Sequence, residues 1–405
     1  CRAMRYLIIS VSIILGTIGA AVFAQQTSGA REARVAAIFA EYDKPTSPGC
    51  AVAVYEGDRT AHKAAFGMAN LDHDIPLTPS SVFHVASVSK QFTGTAILLL
   101  AGDGKLSLDD DIRKHLPELP DFGKRITIRQ LANHTSGIRD QWDLLNLAGW
   151  RYSRDLITDE DVMELLTRQK ALNFEPGERH LYSNSGYTLM ALIVSRVSGK
   201  SFREFTTERI FKPLGMNSTF FRDNFSEIVK HQAYGYAPAG RGYRLSVTNF
   251  DTAGATRLLP TVEDLLKWHM NFDAKIVGGD GLQSGLLERG MLNAGTRIDY
   301  AFGVTHGRYR GVATVGHGGS DAGYRANFIR FPEHRLGIAT LCNIATANPG
   351  ALSQRVADVF LPDSVPPAST DPPADDSSEV PVAQDALKRY AGLYWNAGEF
   401  QARRA

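Results

Sequence analysis

The chain contains two pairs of short apolar runs, one pair near each end. Each pair has the pattern of two strands joined by a tight turn. Residues 49–55 are almost entirely apolar and lead through the polar turn 56–58 into residues 59–66. A second pair covers residues 324–331 and 336–341, with a proline and three polar residues between them. Runs of this length bounded by turn residues are typical of β-hairpins. The pattern therefore predicts one hairpin near each end.

Helical periodicity dominates the chain between these hairpins, up to about residue 215. Apolar residues recur at spacings of three and four in the segments 159–169, 186–197 and 202–210, which is the pattern of amphipathic helices. Strands at both ends with helices between them predict an α+β fold. In this fold the N- and C-terminal strands build one antiparallel sheet, helices flank it, and a mainly helical subdomain is inserted. We expect the active site between the two parts.

The first 24 residues have the pattern of a secretory signal peptide. Two arginines precede an apolar run that ends in Val22-Phe23-Ala24, and two glutamines follow. The same run is just long enough for an uncleaved membrane anchor, but its glycines and alanines favour cleavage after Ala24. The pattern predicts a periplasmic or secreted protein with no stable membrane span after cleavage. Because the sequence starts at Cys1, we expect Met4 to be the initiator.

Composition sets the domain boundaries and excludes one class of partner. A chain of 405 residues with 43% hydrophobic and 21% charged residues holds one large globular domain or two, and we predict a single domain over 30–362. A linker rich in Pro, Ser and Asp is predicted over 363–383. Residues 384–405 are interpreted as the truncated start of a C-terminal accessory domain. The net charge of +1, without basic runs, argues against a nucleic-acid partner.

Two cysteines remain after the predicted cleavage, which is too few for a disulfide scaffold or a metal cluster. Cys50 and Cys342 both lie in apolar, strand-like runs. We expect two buried thiols. An export compartment would permit a bridge only if their strands are neighbours.

The strongest candidate for chemistry is Ser87, three residues before Lys90 in a segment that opens an apolar helix. On one helical face the lysine amine would lie within hydrogen-bonding reach of the serine hydroxyl. Serine is a weak nucleophile that needs a neighbouring base, and lysine is a base only if its pKa is lowered. S-x-x-K is a loose pattern that usually marks an ordinary surface helix. Here it occurs once, and few charges follow it.

Two further motifs accompany the serine. Tyr182-Ser183-Asn184 offers a phenol that could share protons with Ser87 and a carboxamide that could donate to a substrate carbonyl. Gly316-His317-Gly318-Gly319-Ser320 comes just before the predicted strand at 324–331. Glycines at such a place let a ligand approach the backbone, and bare backbone amides can form an oxyanion hole.

The order Ser87-x-x-Lys90, Tyr182-x-Asn184 and His317-Gly318-Gly319 resembles the serine β-lactamase and penicillin-binding-protein superfamily, whose signatures are S-x-x-K, Y-x-N or S-x-N, and K-T-G. The resemblance covers roughly residues 35–362 and is closest to the branch of class C β-lactamases, D-amino-acid peptidases and esterases. Several other stretches support it, at residues 131–137, 182–187, 211–216 and 261–265.

The resemblance implies a β-lactamase/transpeptidase-like fold and a set of site residues. Ser87 would be the acylated nucleophile, Lys90 its proton partner and Tyr182 a general base. The remaining residues would bind substrate: Asn184 at the substrate amide, the amides of Ser87 and Ser320 as oxyanion hole beside Gly318 and Gly319, His317 in the place of the family lysine, and Asn348 near a substrate carboxylate. His134 is expected to be structural.

These observations predict an exported serine hydrolase that forms an acyl-enzyme with an amide or ester. Its substrate would be a small molecule or peptide, with acyl esters, D-amino-acid amides, β-lactams and peptidoglycan-derived peptides as candidates. No metal or other cofactor is expected, because no H-x-x-x-H helix occurs, and an α/β-hydrolase is excluded by the absence of G-x-S-x-G. The alternative is a non-catalytic or singly acylated penicillin-binding sensor of the cell envelope.

Overall fold

The computed structural model describes residues 29–366, except Ser153 and Asp363, and the strands Leu393–Asn396 and Gln401–Arg404. The predicted signal peptide, nearly all of the predicted linker and most of the predicted accessory segment lie outside the described residues. The two last strands pair with each other as an antiparallel hairpin. None of the described helices is both long and apolar enough to cross a bilayer.

One helix precedes the first strand, and the other helices and strands alternate in groups along the chain. The helices are α1 (29–39), α2 (Lys90–Gly102), α3 (Ile128–Ala132), α4 (Gln141–Leu147), α5 (Asp159–Thr167), α6 (Asn184–Ser198), α7 (Phe202–Thr206), α8 (Val262–Ala274), α9 (Gly279–Leu287) and α10 (Pro349–Phe360). The strands are β1 (Cys50–Glu56), β2 (Arg59–Phe66), β3 (Met68–Asn70), β4 (Ile75–Pro76), β5 (Phe220–Phe221), β6 (Tyr236–Ala239), β7 (Gly242–Leu245), β8 (Leu258–Leu259), β9 (Thr305–Tyr309), β10 (Val312–Asp321), β11 (Tyr324–Phe331), β12 (Leu336–Cys342), β13 (Leu393–Asn396) and β14 (Gln401–Arg404).

One six-stranded antiparallel sheet, in the order β2-β1-β12-β11-β10-β9, joins strands from both ends of the domain. Both predicted hairpins are confirmed, as β1–β2 and β11–β12. Strands β9 and β10 were not predicted. The glycine-rich motif at 316–320 therefore lies inside a ten-residue strand rather than in a loop before one.

Alternate side chains of β1 point to opposite faces of the sheet, as the two-residue period of a strand requires. Cys50, Val52 and Val54 join an apolar cluster with α1 and α10 on one face. Ala51 and Ala53 join the larger cluster with α2, α6 and α8 on the other. Both faces are covered, which explains why β1 is a continuous apolar run. The fold is α+β, with the helical insertion after β4 packed on the α2 side.

The first strand and β12 are neighbours, and Cys50 lies directly opposite Cys342 in their register. The two cysteines form a disulfide. The expectation of two free thiols is therefore wrong. The bridge depends on the pairing of two strands whose cysteines are 292 residues apart, and the local sequence pattern does not specify this pairing.

Candidate active site

The segment around Ser87 is a short 3₁₀ turn, Ala86–Ser89, that runs directly into α2. A 3₁₀ helix has three residues per turn, so side chains three apart are eclipsed and Ser87 lies over Lys90. Ala86 adopts a φ of 46°, a strained conformation for a residue with a side chain. The turn is held by the Val85 amide, which donates to the Leu258 carbonyl at 3.2 Å.

Lys90 is fully buried and its amine has three partners. Its Nζ donates to Ser87 Oγ at 3.0 Å, to Asn184 Oδ1 at 2.8 Å and to the Ala255 carbonyl at 2.8 Å. Burial lowers the pKa of this amine to about 7, although Asp140 nearby raises it. A neutral amine has two N–H groups and one lone pair. The two carbonyl oxygens can keep the N–H groups while the lone pair faces the Ser87 hydroxyl.

Tyr182 lies beside this pair. Its ring centre is 4.9 Å from Lys90 Nζ, and its buried hydroxyl has no hydrogen-bond partner among the described residues. Burial raises the pKa of Tyr182, and this outweighs the opposing effect of the nearby Ser87. The residue is therefore a neutral phenol at physiological pH. It can pass a proton on, but it does not rest as a phenolate base.

Asn184 is oriented by a carboxylate that the sequence analysis missed. Asp140 Oδ2 accepts from the Asn184 amide at 2.6 Å and from its Nδ2 at 2.9 Å, which fixes the carboxamide oxygen toward Lys90. The other oxygen of Asp140 caps α4 by accepting from the Trp142 amide. One N–H of Asn184 Nδ2 remains for a substrate carbonyl. In sequence, Asp140 has only the signal of a helix cap.

Strand β10 packs against the nucleophile turn at Gly319. A Cβ on Gly319 would lie 2.2 Å from the Val85 carbonyl oxygen, so only glycine fits. This close approach is to the protein's own turn, since Val85 and Ala86 directly precede Ser87. Gly318 has no such neighbour, since a Cβ there would meet only the Ala326 oxygen at 3.8 Å.

At the site, β10 has a partner strand on one side only among the described residues. Pairing of β10 with β9 ends at Gly316, whereas pairing with β11 continues to Asp321. Residues 317–321 thus have one side free toward the nucleophile turn. An oxyanion hole needs backbone amides that are free of such pairing, so the predicted role of the Ser320 amide stays a prediction.

His317 is half-buried, and both of its ring nitrogens have protein partners. Its Nδ1 is 2.5 Å from the Gly318 carbonyl oxygen, which can only accept, so Nδ1 carries the proton. Its Nε2 then accepts from the Tyr300 hydroxyl at 3.0 Å. Burial, with a contribution from Lys90, lowers the pKa of His317 to about 4. The imidazole is neutral at pH 7 and has no free donor for a substrate carboxylate.

An aromatic cluster around His134 positions Tyr182. The His134 ring centre is 4.2 Å from that of Tyr182 and 4.5 Å from that of Tyr300. Its Nδ1 accepts from the Ser183 amide at 3.1 Å. The expectation that His134 is structural agrees with this geometry. Tyr300 was missed in the sequence, because it lies in a segment without any motif.

The side chains of Asn348 and Arg325 have no hydrogen bond to this cluster among the described contacts; both bond to backbone groups close to them in sequence. Asn348 is exposed and caps α10, with its side-chain oxygen accepting from the Ala351 amide at 3.0 Å. Its predicted contact with a substrate carboxylate stays a prediction. Arg325, which follows β10 in the next strand, donates to the Ala322 and Tyr324 carbonyls of its own turn.

A serine hydrogen-bonded to a buried lysine, with a tyrosine ring beside the lysine amine, defines the class of protein as a serine hydrolase of the acyl-enzyme type. The family model for beta-lactamases matches residues 35–360. The chain belongs to the beta-lactamase family. Among the residues that the structure describes, no three His, Cys, Asp or Glu side chains are grouped so as to hold a metal ion.

Relatives of known name include penicillin-binding proteins and D-aminopeptidases. The chain is 32% identical over 315 residues to penicillin-binding protein 4* of Bacillus subtilis, covering 71% of this chain and 66% of that protein. It is 28% identical over 343 residues to a D-aminopeptidase of Gluconobacter oxydans, covering 84% and 64%. The chain thus spans somewhat less than two thirds of these relatives' lengths.

A similar solved structure is that of the octameric penicillin-binding protein homologue from Pyrococcus abyssi. The two chains superpose with a TM-score of 0.70 at 27% identity, over 82% of this chain and 77% of that one.

Proposed function

We propose that this protein hydrolyses amides or esters of small molecules or short peptides through an acyl-enzyme on Ser87. The observation that carries the proposal is the Lys90 amine, buried, 3.0 Å from Ser87 Oγ and with its pKa lowered to about 7. A base with a pKa near the working pH is suited to proton transfer.

In acylation, Ser87 Oγ attacks the substrate carbonyl carbon while its proton passes to the neutral Lys90 Nζ. The carbonyl oxygen becomes an oxyanion that the backbone amides of Ser87 and Ser320 would stabilise. The tetrahedral intermediate then collapses and expels the amine or alcohol. The Tyr182 phenol would give its proton to this leaving group and recover one from the Lys90 ammonium. Deacylation would follow the same route with water as the attacking group.

We propose that uncharged acyl esters and D-amino-acid amides are better substrates than penicillins or cephalosporins. A carboxylate-bearing substrate needs a donor or a positive charge on the strand edge. His317 is neutral and both its nitrogens have partners, and Arg325 is bonded to its own turn. The names of the D-aminopeptidase relatives favour substrates of this kind.

Export to the periplasm or the medium is part of the proposal. The disulfide between Cys50 and Cys342 supports it, because such bonds persist mainly in oxidising compartments. A peptide derived from the cell wall is one candidate substrate there.

The test is a panel of substrates with purified wild type and Ser87→Ala: a short acyl ester, a D-amino-acid amide, a D-Ala-D-Ala peptide and a chromogenic cephalosporin. We expect turnover of the ester or amide by the wild type and none by Ser87→Ala. Intact-protein mass spectrometry with a phosphonate should show one adduct on the peptide that contains Ser87.

Three results would contradict parts of this proposal. An adduct on another peptide would reject Ser87 as the nucleophile. A stable adduct without turnover of any substrate would favour a singly acylated sensor. Faster hydrolysis of the cephalosporin than of every ester and amide would reject only the substrate preference.

A further inference from the structure

A cavity of about 270 Å³ lies outside the active site, behind residues 255–258. Its polar lining includes Arg257, Arg222 and His84, and its apolar lining includes Val229, Leu259 and Tyr324. The segment 255–258 separates it from the active site. Ala255 accepts from Lys90 on one side, whereas Arg257 lines the cavity on the other.

Arg257 is only 2% exposed, yet its guanidinium is incompletely paired. Its Nε is 3.4 Å from the Arg222 carbonyl and its Nη1 is 3.3 Å from Thr248 Oγ1, both long for hydrogen bonds. Its Nη2 is buried and has no partner among the described residues. A buried charge that is not paired is costly, and most buried charges have a counter-ion.

The acidic residues near this arginine are engaged elsewhere. Glu227 forms two hydrogen bonds of 2.8 Å with Arg203, and Asp223 forms one of 3.0 Å with the same guanidinium. Asp251 accepts from the Phe225 amide at 2.5 Å. These three carboxylates, of which Glu227 also lines the cavity, balance Arg203, Arg222 and Arg257 in number. Among the described residues, however, none of them is paired with the Arg257 guanidinium, whose Nη2 stays without a partner.

The backbone of Arg257 is also in an unfavourable conformation. Its φ is 75°, in the left-handed region that favours glycine. Strain of this kind persists where the surrounding structure fixes it, and it is concentrated at ligand sites. A glycine would take the same conformation freely but would place no charge in the cavity.

We propose that this cavity binds a small carboxylate with a short apolar body, held by Arg257 against Val229 and Leu259. Arg222 contributes positive charge nearby, while its Nε and Nη2 donate to backbone carbonyls of residues 224–227. The apolar lining and the volume suit an acid of a few carbon atoms. The carboxylate belongs either to the substrate itself or to a separate ligand, and the proposal holds independently of which bond the active site hydrolyses.

The test uses sodium butyrate as the probe and butyramide as its uncharged counterpart, at constant ionic strength, with titration calorimetry and thermal unfolding of the purified protein. We expect saturable butyrate binding that raises the melting temperature of the wild type. Arg257→Gly should bind at least tenfold more weakly. This variant is suited to the test because glycine relieves the backbone strain, so that loss of folding is not expected.

Two controls separate the cavity from other effects. Lys275→Gly removes an exposed basic residue whose φ is also left-handed, at 54°, and should bind butyrate like the wild type. Ser87→Ala should do so too, whether or not the protein is a hydrolase. Equal binding by Arg257→Gly and Lys275→Gly would overturn the proposal, as would equal binding of butyramide or tighter binding of inorganic phosphate.

Kinetics with an uncharged ester distinguish the two sources of the carboxylate. Competitive inhibition by butyrate would assign the cavity to a carboxylate of the substrate. A change in kcat with KM unaltered would assign it to a separate ligand. Arg257→Gly should abolish either effect.

Discussion

Lys90 and Arg257 are both buried basic side chains, and they lie on opposite sides of one short segment, yet their surroundings differ. The Lys90 amine has an acceptor for each of its three protons, Ser87, Asn184 and the Ala255 carbonyl. Arg257 has two long hydrogen bonds and one nitrogen without a partner in the described chain. The first site is complete without a ligand. In the second, the Arg257 guanidinium keeps a nitrogen that the proposed carboxylate would bind.

The two groups also respond differently to burial. The pKa of Lys90 falls to about 7, so that this amine exchanges its proton in the physiological range. The pKa of Arg257 falls only to about 10, through burial and the neighbouring Arg222, and the guanidinium stays charged. A complete site with a mobile proton suits chemistry, whereas an incomplete site with a fixed charge suits binding of an anion.

The largest effect should come from breaking the complete site. We expect Lys90→Ala and Tyr182→Phe each to lower kcat by roughly a hundredfold or more, the range of general acid–base groups. Since both handle the same proton, the double variant should lose much less than the product of the two single effects. Single-turnover kinetics with an acyl ester would measure this coupling. Strictly multiplicative losses would show that the two residues act independently.

The pH dependence tests the charge state of Lys90. The base must be neutral, so kcat/KM for an uncharged ester should rise with pH to a plateau with a midpoint near 7. Well below the midpoint, the rate should fall about tenfold per pH unit. His317, with a pKa of about 4, should add no step in this range.

Asp140→Asn tests whether the midpoint of this pH profile belongs to Lys90. The Asp140 charge raises the pKa of Lys90, so its removal should move the midpoint to lower pH. A wild-type midpoint near 9 or 10, or no shift in the variant, would contradict the assignment of the base.

How far the sequence predicted the molecule depended on how local each feature is. The β1–β2 and β11–β12 hairpins follow from apolar runs and turn residues, and Ser87 and Lys90 from a spacing of three. Strand β10 was missed because its glycines at 316, 318 and 319 weaken the strand pattern. They are tolerated because β11 pairs along the whole motif and the Val85 carbonyl requires glycine at 319.

Features that depend on tertiary contacts had no signal in the sequence. Asp140, Tyr300 and Arg257 lie in three separate segments. Asp140 is identified by its contact with Asn184, Tyr300 by its contact with His317, and Arg257 by its place in the cavity. The lowered pKa of His317 and its two protein partners likewise became apparent only from the folded structure.

The smallest effect tests the incomplete site through stability alone. A left-handed conformation costs a residue with a side chain roughly 1–2 kcal/mol, and glycine gives back roughly 0.5–1 kcal/mol through its freer unfolded chain. Lys275→Gly changes the free energy of unfolding through this backbone effect alone, at an exposed position.

Arg257→Gly has the same backbone effect and also removes a buried charge that is not paired with a counter-ion. Its free energy of unfolding in urea, relative to wild type, should therefore exceed that of Lys275→Gly by about 1 kcal/mol. Saturating butyrate should reduce the difference, because it stabilises only proteins that retain Arg257. If Arg257→Gly is instead the less stable variant without ligand, the long hydrogen bonds to Arg222 and Thr248 hold the loop, and the guanidinium is a structural group rather than an anion site.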